Sequence, residues 1–599
     1  MKSSIPKLDD STKRRWRRGL KRRRQGAIEL GQQADANIEK LLIRRFDRLV
    51  SVRRFVLLWV SLFVLLLLAG ISQLRGLSTY YQTLRPVPGG LYNQGVIGSF
   101  TTANPLYATG TADAAVSRLV FSGLFTYDNN NNLTGDLAKN WTLNAAQTRY
   151  AVHLKKNITW QDGKPFTADD VVFTYHTIQN IQAQSSLYSS WKDITVTKQD
   201  AYTVNFDLPN PLSSFPYALT NGIVPMHLLK SVAPEQLRSA AFNTAPVGTG
   251  PFELKFIDVS GTTTASRQQR IALQASDHYW NGRPKLDGFS FITYSDDQHM
   301  IAAFERKQLN AMSGLESVPT GLAHDKSIQA YSTPLTSAVM AFFNNSHGNL
   351  SDVNVRRALV VGVDRSQLEK LFDSPIKLVN GPLLKGQLGY DPSIVESGYN
   401  PTAAGQQLDQ AGWARGGSGL RSKSGSPLAF TLSAQNTPQY TRVAQFLQQQ
   451  WAKLGVKVTV RYYSSDDLQS IVIPNHDYDV LLYGINVGVD PDVFAYWDSS
   501  QAAVSSQGHL NLSEYKSTAA DQALEAGRTR SDPAVRALKY KAFLSNWVQD
   551  APALALYQPN TLYITHGPVF NYQRKAGNSD LDQLYNVNTW EVRQQKQNI

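Results

Sequence analysis

Asp169 and Asp170 are adjacent carboxylates, a pair that could in principle share the proton transfers of general acid–base catalysis. Their surroundings give them a simpler task. They lie in Ile158-Thr-Trp-Gln-Asp-Gly-Lys-Pro-Phe-Thr-Ala-Asp-Asp-Val-Val-Phe-Thr-Tyr175, where Asp162-Gly163 forms a turn after a strand that includes Val152 and Leu154. Thr167 with Asp170 three residues on makes a capping box. The two carboxylates then serve the first turn of a helix whose buried face includes Val171, Val172 and Tyr175. Glycines also flank Thr249 in Ala245-Pro-Val-Gly-Thr-Gly-Pro-Phe252, as in a phosphate loop. No Gly-Lys-Ser/Thr follows, however, and Pro251 removes a backbone donor. The passage reads as a tight turn entering a strand. The ten histidines are scattered without His-Glu-x-x-His spacing, and no Gly-x-Ser-x-Gly elbow occurs. Without a cysteine there is no disulfide, no thiolate zinc site and no cysteine nucleophile. The expectation is a protein with no catalytic residues, no metal site and no cofactor.

The elements that carry these residues divide sharply in charge. Residues 1–54 hold 17 Lys/Arg against 6 Asp/Glu, a balance of +11, which leaves +2 of the total +13 for everything after them. A nearly neutral body of this size gives no support to nucleic-acid binding. Phe55 to Leu74 then runs FVLLWVSLFVLLLLAGISQL without a charge, the length a helix needs to cross a bilayer. Arg53 and Arg54 precede it and only Arg75 and Arg85 follow closely, which places residues 1–54 in the cytoplasm and the body outside. Leu68-Ala69-Gly70 resembles the start of a lipoprotein cleavage box, but Ile71 stands where a lipidated Cys would be. The segment is therefore read as a retained single-pass anchor in the cell membrane rather than a cleaved signal. Upstream, Lys13–Arg24 is a basic run suited to anionic headgroups. Ile38, Leu41, Leu42, Phe46 and Leu49 have the spacing of an amphipathic helix along the same face. Residues 75–90 read as a linker.

From Leu91 onward strands and helices alternate without a fixed repeat, and several passages share one resemblance. These are Asn104-Pro-Leu with Leu119-Val-Phe-Ser-Gly-Leu-Phe125, Trp160–Tyr175, Pro246–Pro251 and Tyr279-Trp-Asn-Gly-Arg-Pro-Lys-Leu-Asp-Gly288. Further on come Val355-Arg-Arg-Ala-Leu with Asp364-Arg365, Ala403 to Trp413, and Asp490-Pro-Asp492. In this order, over residues 95–575, they resemble bacterial extracellular solute-binding proteins of the oligopeptide/dipeptide-binding family (family 5). The resemblance implies an α/β, periplasmic-binding-protein-like fold of two lobes, with an extra domain inserted in lobe I and a single transmembrane helix before it. Mapped onto this chain, lobe I is 91–127, 245–343 and 556–599, the inserted domain is 128–244 and lobe II is 344–555. Val339–Asn344 and Ala553–Tyr557 are apolar runs where hinge crossings should fall, and Ala414–Pro427 reads as an exposed loop.

The implied function is the solute-binding component of an ABC importer. It would close two lobes on a small-molecule or oligopeptide ligand as a monomer and deliver it to a permease with its ATPase subunits. Positions carried over as ligand-binding are Thr109, Gly110 and Thr111 in lobe I, Tyr483, Asn486 and Asp490 in lobe II, and Tyr557 near the hinge. In peptide-binding members an Asp just before the Asp-Pro-x segment pairs with the ligand's α-amino group, and here Val487 falls at that position. A sugar, a metal chelate or a blocked peptide then competes with a free peptide as ligand, and restoring Asp at 487 should improve free-peptide binding. Two other readings remain open: a surface receptor signalling through the cytoplasmic segment, and a hydrolase.

Overall fold

Alternation along one strand explains how the largest part of the chain is organised. In Ser337–Phe343, Val339, Ala341 and Phe343 enter one apolar cluster while Ala338, Met340 and Phe342 enter another, so the strand is buried on both faces. It lies inside a six-stranded sheet in the order Lys377–Leu378, Ala553–Gln558, Ser337–Phe343, Val480–Asn486, Ala429–Gln435, Lys457–Tyr463. The last three strands run parallel, and Ser337–Phe343 is antiparallel to its neighbours on both sides. A seven-stranded sheet has the order Ile328–Pro334, Asn560–His566, Ala311–Ser313, Leu91–Ile97, Gly288–Tyr294, Gln268–Ala275, Phe252–Ser260. A four-stranded antiparallel sheet is built from Ala138–Leu143, Arg149–Leu154, Thr203–Asp207 and Thr195–Asp200. Its buried residues Val152, Val204 and Phe206 share one apolar cluster with Tyr92, Phe289 and Phe291 of the seven-stranded sheet.

The six- and seven-stranded sheets are joined twice by strand-to-strand crossings. Pro334 passes to Ser337 through Leu335 and Thr336, and Gln558 passes to Asn560 through Pro559. The crossings are bonded to each other: Leu335 N–H donates to the Pro559 carbonyl at 2.8 Å and Gln558 Nε2 donates to the Leu335 carbonyl at 2.9 Å.

This computed structural model describes residues 53–263, 267–505 and 510–598, with Gly19 and Gly26. The basic run and the amphipathic spacing before the anchor lie outside the described residues. The chain divides into two compact units, Met1–Arg85 with Gln594–Ile599, and Pro86–Arg593. In the first, the helix Arg53–Tyr81 includes Arg54–Gln73, long and apolar enough by length and composition to cross a membrane. The reading of residues 75–90 as a linker needs correction. The helix continues to Tyr81, because no proline interrupts it before Pro86, and Gln82–Val87 then pairs as a strand with Arg593–Asn598.

Local readings meet the structure in detail. Thr167 caps the helix Ala168–Gln179, with Asp169 N–H donating to Thr167 Oγ1 and Thr167 N–H donating to Asp170 Oδ2 at 3.0 Å. Val171 and Tyr175 are buried on that helix, whereas Val172 is only partly buried against the cluster. Gly248 and Gly250 are needed for close approach. A Cβ at Gly248 would lie 1.8 Å from the Val120 carbonyl oxygen, and one at Gly250 2.5 Å from that of Leu119. Residues 414–427, read as a loop, instead form a short meander of Ala414–Arg415, Arg421–Lys423 and Ser426–Pro427. Its anchor is the buried Arg421, which donates to the Trp413 and Leu454 carbonyls.

Candidate functional site

The parallel strands Ala311–Ser313 and Ala429–Gln435 end beside the crossings, and the crevice outside the carboxyl ends of such strands is where α/β sheets hold ligands. A pocket of about 140 Å³ lies there, lined from one side by Glu316, Thr561 and Asp580 and from the other by Phe372, Gln439 and Arg442. Thr437 caps the helix Pro438–Lys453 and so sets Gln439 and Arg442 in its first turns. The Gln439 N–H lines the pocket opposite Glu316 and acts on its carboxylate. Desolvation raises the Glu316 carboxyl, while Arg442 and this N–H oppose the rise.

Tyr557 is fully buried beside this pocket, its ring 4.8 Å from that of Phe372. Burial lifts its hydroxyl well above the usual tyrosine range, Tyr440 and Glu316 add to the rise, and Arg442 opposes it. Tyr483 is half-buried on Val480–Asn486, where desolvation also raises it, and it acts in turn on Tyr440. Asn486 is exposed at the end of that strand. Its side chain accepts from Gly488 N–H and its carbonyl accepts from the Tyr496 hydroxyl, both at 3.0 Å. Tyr483, Asn486 and Tyr557 therefore gather around the crossings.

The other sequence-read positions are placed differently. Thr109, Gly110 and Thr111 are exposed at the start of the helix Thr111–Val120. Behind them Asp113 is buried and accepts from Thr101 N–H, Thr101 Oγ1 and Thr102 N–H. These three positions flank a second cavity of about 500 Å³, which Ala108 lines, and which no residue of the six-stranded sheet borders. Asp490 is tied off: its carboxylate meets Arg536 at 2.7 Å with both side chains buried. Desolvation raises Asp490 and the Arg536 guanidinium pulls it back. Val487 is 4% exposed, packed in the cluster of Met340, Val493 and Trp497, and its N–H donates to the Thr336 carbonyl. Of the catalytic suspects, Asp169 pairs with Lys198 and Asp170 accepts from Met226 N–H at 2.9 Å, so both are structural.

Glu316, Gln439 and Arg442 were not singled out from sequence. The one signal was the Thr437-Pro438 helix start, which places a helix N-terminus near the sheet end without saying what faces it. Asp136 was missed as well. It lines the 500 Å³ cavity, where burial raises its carboxyl from 3.8 to about 6 despite the hydrogen bonds from Trp280 Nε1 and Ser122. Because its folded value lies above its unfolded one, its contribution to stability is full below about pH 4 and is lost as pH rises through about 6. Asp136→Asn keeps an acceptor for Trp280 and removes the titration. Between about pH 4 and about pH 7 the wild-type chain should lose about 3 kcal/mol relative to this variant. Denaturation midpoints of the two chains across that range check it, and parallel curves would mean the carboxyl stays ionised.

An α/β body of two sheets, crossed twice and sharing a crevice, defines a periplasmic-binding-protein-type fold. The family of bacterial extracellular solute-binding proteins, family 5 (middle), matches residues 132–506, and the chain belongs to that family. It is 27% identical over 516 residues to the oligopeptide-binding protein AppA of Bacillus subtilis, covering 84% of this chain and 92% of that protein. The solved AppA structure, in complex with a nonapeptide, superimposes with a TM-score of 0.67 at 26% identity, covering 85% of this chain and all of the other. NikZ from Campylobacter jejuni, solved with Ni(L-His), gives a TM-score of 0.70 at 25% identity, covering 84% of this chain and 99% of the other. These relatives are solute-binding proteins and not enzymes, and ABC-transporter peptide binding recurs among them.

Proposed function

We propose that this chain is the membrane-anchored, extracytoplasmic solute-binding component of an ABC importer. It captures a peptide-sized solute between two lobes and presents the closed form to a permease with its ATPase subunits, without making or breaking a bond. The observation that carries the reading is the pocket beside two adjacent crossings, lined on one side by the strand Asn560–His566 of the seven-stranded sheet and on the other by Gln439 and Arg442 of the helix packed on the six-stranded sheet, since a ligand held there touches both lobes and favours their closure. We read 91–127, 245–343 and 556–599 as lobe I, 128–244 as a domain inserted in it, and 344–555 as lobe II. The crossings 335–336 and 559 are the hinge, and the apolar helix is the single-pass anchor. Thr109, Gly110, Thr111, Tyr483, Asn486 and Tyr557 remain ligand-facing candidates, with Glu316, Gln439 and Arg442 added. The relatives' solutes, a nonapeptide and a nickel–histidine chelate, span the size range to be screened.

The test is to purify the full chain in detergent, identify any co-purified solute by mass spectrometry, and add it back to stripped protein. The cognate solute should raise the melting temperature with concentration, reaching about 2.7 kcal/mol of added stability at a hundredfold excess over Kd. Chemical turnover of that solute by the pure chain would overturn the reading.

A further inference from the structure

We propose that the four-stranded sheet (138–207) and the loop after it form a clasp onto lobe II, bonded to the segments that follow Asn486 and Gly527. Its strength is set by Ser214, Asp492 and Arg528, and it determines how much of the chain is closed and how long a solute is held. The inference rests on the two-lobe closure proposed above.

The loop Leu208-Pro-Asn-Pro-Leu-Ser-Ser-Phe215 is built to present its serines firmly. Pro209 and Pro211 restrict the backbone. The Leu208 N–H is held by the Thr148 carbonyl, and the Leu212 carbonyl accepts from the Tyr150 hydroxyl at 2.9 Å. Phe215 is buried against Tyr150, Phe206 and Trp191, with ring centroids 5.0 to 5.7 Å apart. Anchored from behind in this way, Ser213 donates to the Arg528 carbonyl twice, from its N–H at 2.8 Å and its hydroxyl at 2.9 Å. Ser214 Oγ donates to Asp492 Oδ2 at 2.8 Å. The same Asp492 oxygen meets the Arg528 guanidinium at 3.3 Å, and that guanidinium lies over the Phe494 ring at 4.1 Å. A second strut comes from the turn before Arg149–Leu154, where Gln147 Oε1 accepts from Ser531 N–H at 3.1 Å.

The Asp490–Arg536 pair gains a purpose here. Asp490 Oδ1 accepts from Asp492 N–H, and Arg536 Nε donates to the Gly527 carbonyl at 2.9 Å. The pair thus fixes both partners of the clasp, Asp492 and Arg528, from the lobe II side. Asp490, Asp492 and Arg536 act as positioning residues for closure, and the Asp-Pro-Asp loop couples the end of Val480–Asn486 to the clasp. All of these contacts join protein groups to protein groups, so they add to the stability of the closed form whatever solute it holds.

The absence of native cysteine makes a distance measurement direct. Ile181→Cys and Leu538→Cys place spin labels at positions 67% and 66% exposed on the two sides. In the full chain, stripped of bound solute and held in detergent, wild type should show a short and a long distance. Ser214→Ala should lower the short-to-long ratio several-fold, and Ser214→Ala with Asp492→Asn about tenfold or more. Asp409→Asn, which alters an exposed carboxylate paired with the buried Arg421 within lobe II, should leave the ratio unchanged. Ser214→Ala removes only one hydroxyl from a loop, so a folded variant is available even if Asp492→Asn lowers the melting temperature. A distance that is the same in the stripped chain and in the chain still carrying its co-purified solute would sink the closure reading itself, and a single long distance in stripped wild type would overturn the clasp. Two distances with the same ratio in wild type and Ser214→Ala would overturn the clasp alone.

Discussion

Replacing Glu396 with alanine should lower the stability of the folded chain by about 3–5 kcal/mol, the cost of leaving a buried guanidinium without its partner. Glu396 and Arg365 form an ion pair in which both side chains are under a tenth exposed. Both also bond one residue of the strand that leads into the second crossing: Ala555 N–H donates to Glu396 Oε1 at 3.1 Å, and Arg365 Nη1 donates to the Ala555 carbonyl at 3.3 Å. Only Tyr557 and Gln558 of that strand pair with Lys377–Leu378 on the outer side, so this side-chain pair stands in for a missing strand at Ala555. Losing the carboxylate leaves the Arg365 charge uncompensated and the Ala555 N–H unpaired. Burial holds the Glu396 carboxyl above its ordinary range, against the pull of Arg365, so the pair is not strongly stabilising as it stands. It follows that Arg365→Met with Glu396→Leu should recover the part of the loss that comes from the uncompensated charge, while the unpaired Ala555 N–H keeps the double variant below wild type. Chemical denaturation followed by tryptophan fluorescence compares the three chains. A Glu396→Ala midpoint equal to wild type would mean that water reaches the pair.

That pair also shows where the sequence was legible and where it was not. Arg365 stood in a recognisable passage, Val355 to Arg365, but Glu396 lies 31 residues away in a segment with no pattern of its own, so the partner could not be named. Local chemistry was readable wherever the partners lie within one turn. The Thr167–Asp170 capping box is the plain case, and the apolar runs at 339–344 and 553–557 are others. Positions that depend on two distant segments meeting were not readable. Asp490 looks the same in sequence whether it faces a solute or Arg536, which is 46 residues away. Ser213 and Arg528, or Glu316 and Gln439, come together only after the two sheets have been brought together by the crossings. The helix past Leu74 was misread for a different reason: the loss of hydrophobicity ends a membrane span but does not end a helix.

Val487→Asp carries the second large effect, and here the structure turns the sequence expectation round. The family resemblance implies an amine-binding carboxylate at this position, from which restoring Asp is expected to improve free-peptide binding. In the structure, Val487 is packed among Met340, Val493 and Trp497, and its N–H and that of Gly488 both donate to the Thr336 carbonyl at 3.0 Å, which fixes the backbone at the crossing. A carboxylate in that cluster loses its hydration and gains no cation. The variant should therefore be destabilised by several kcal/mol at neutral pH. The loss should shrink toward about pH 4, because a buried carboxyl has its pKa raised and the neutral acid is cheaper to bury. A saturating free tripeptide should leave the melting temperature of the variant where it was. If the tripeptide instead restores it, the ligand's ammonium reaches the new carboxylate, the side chain faces the cleft, and a single apolar residue is what excludes free peptides from this chain.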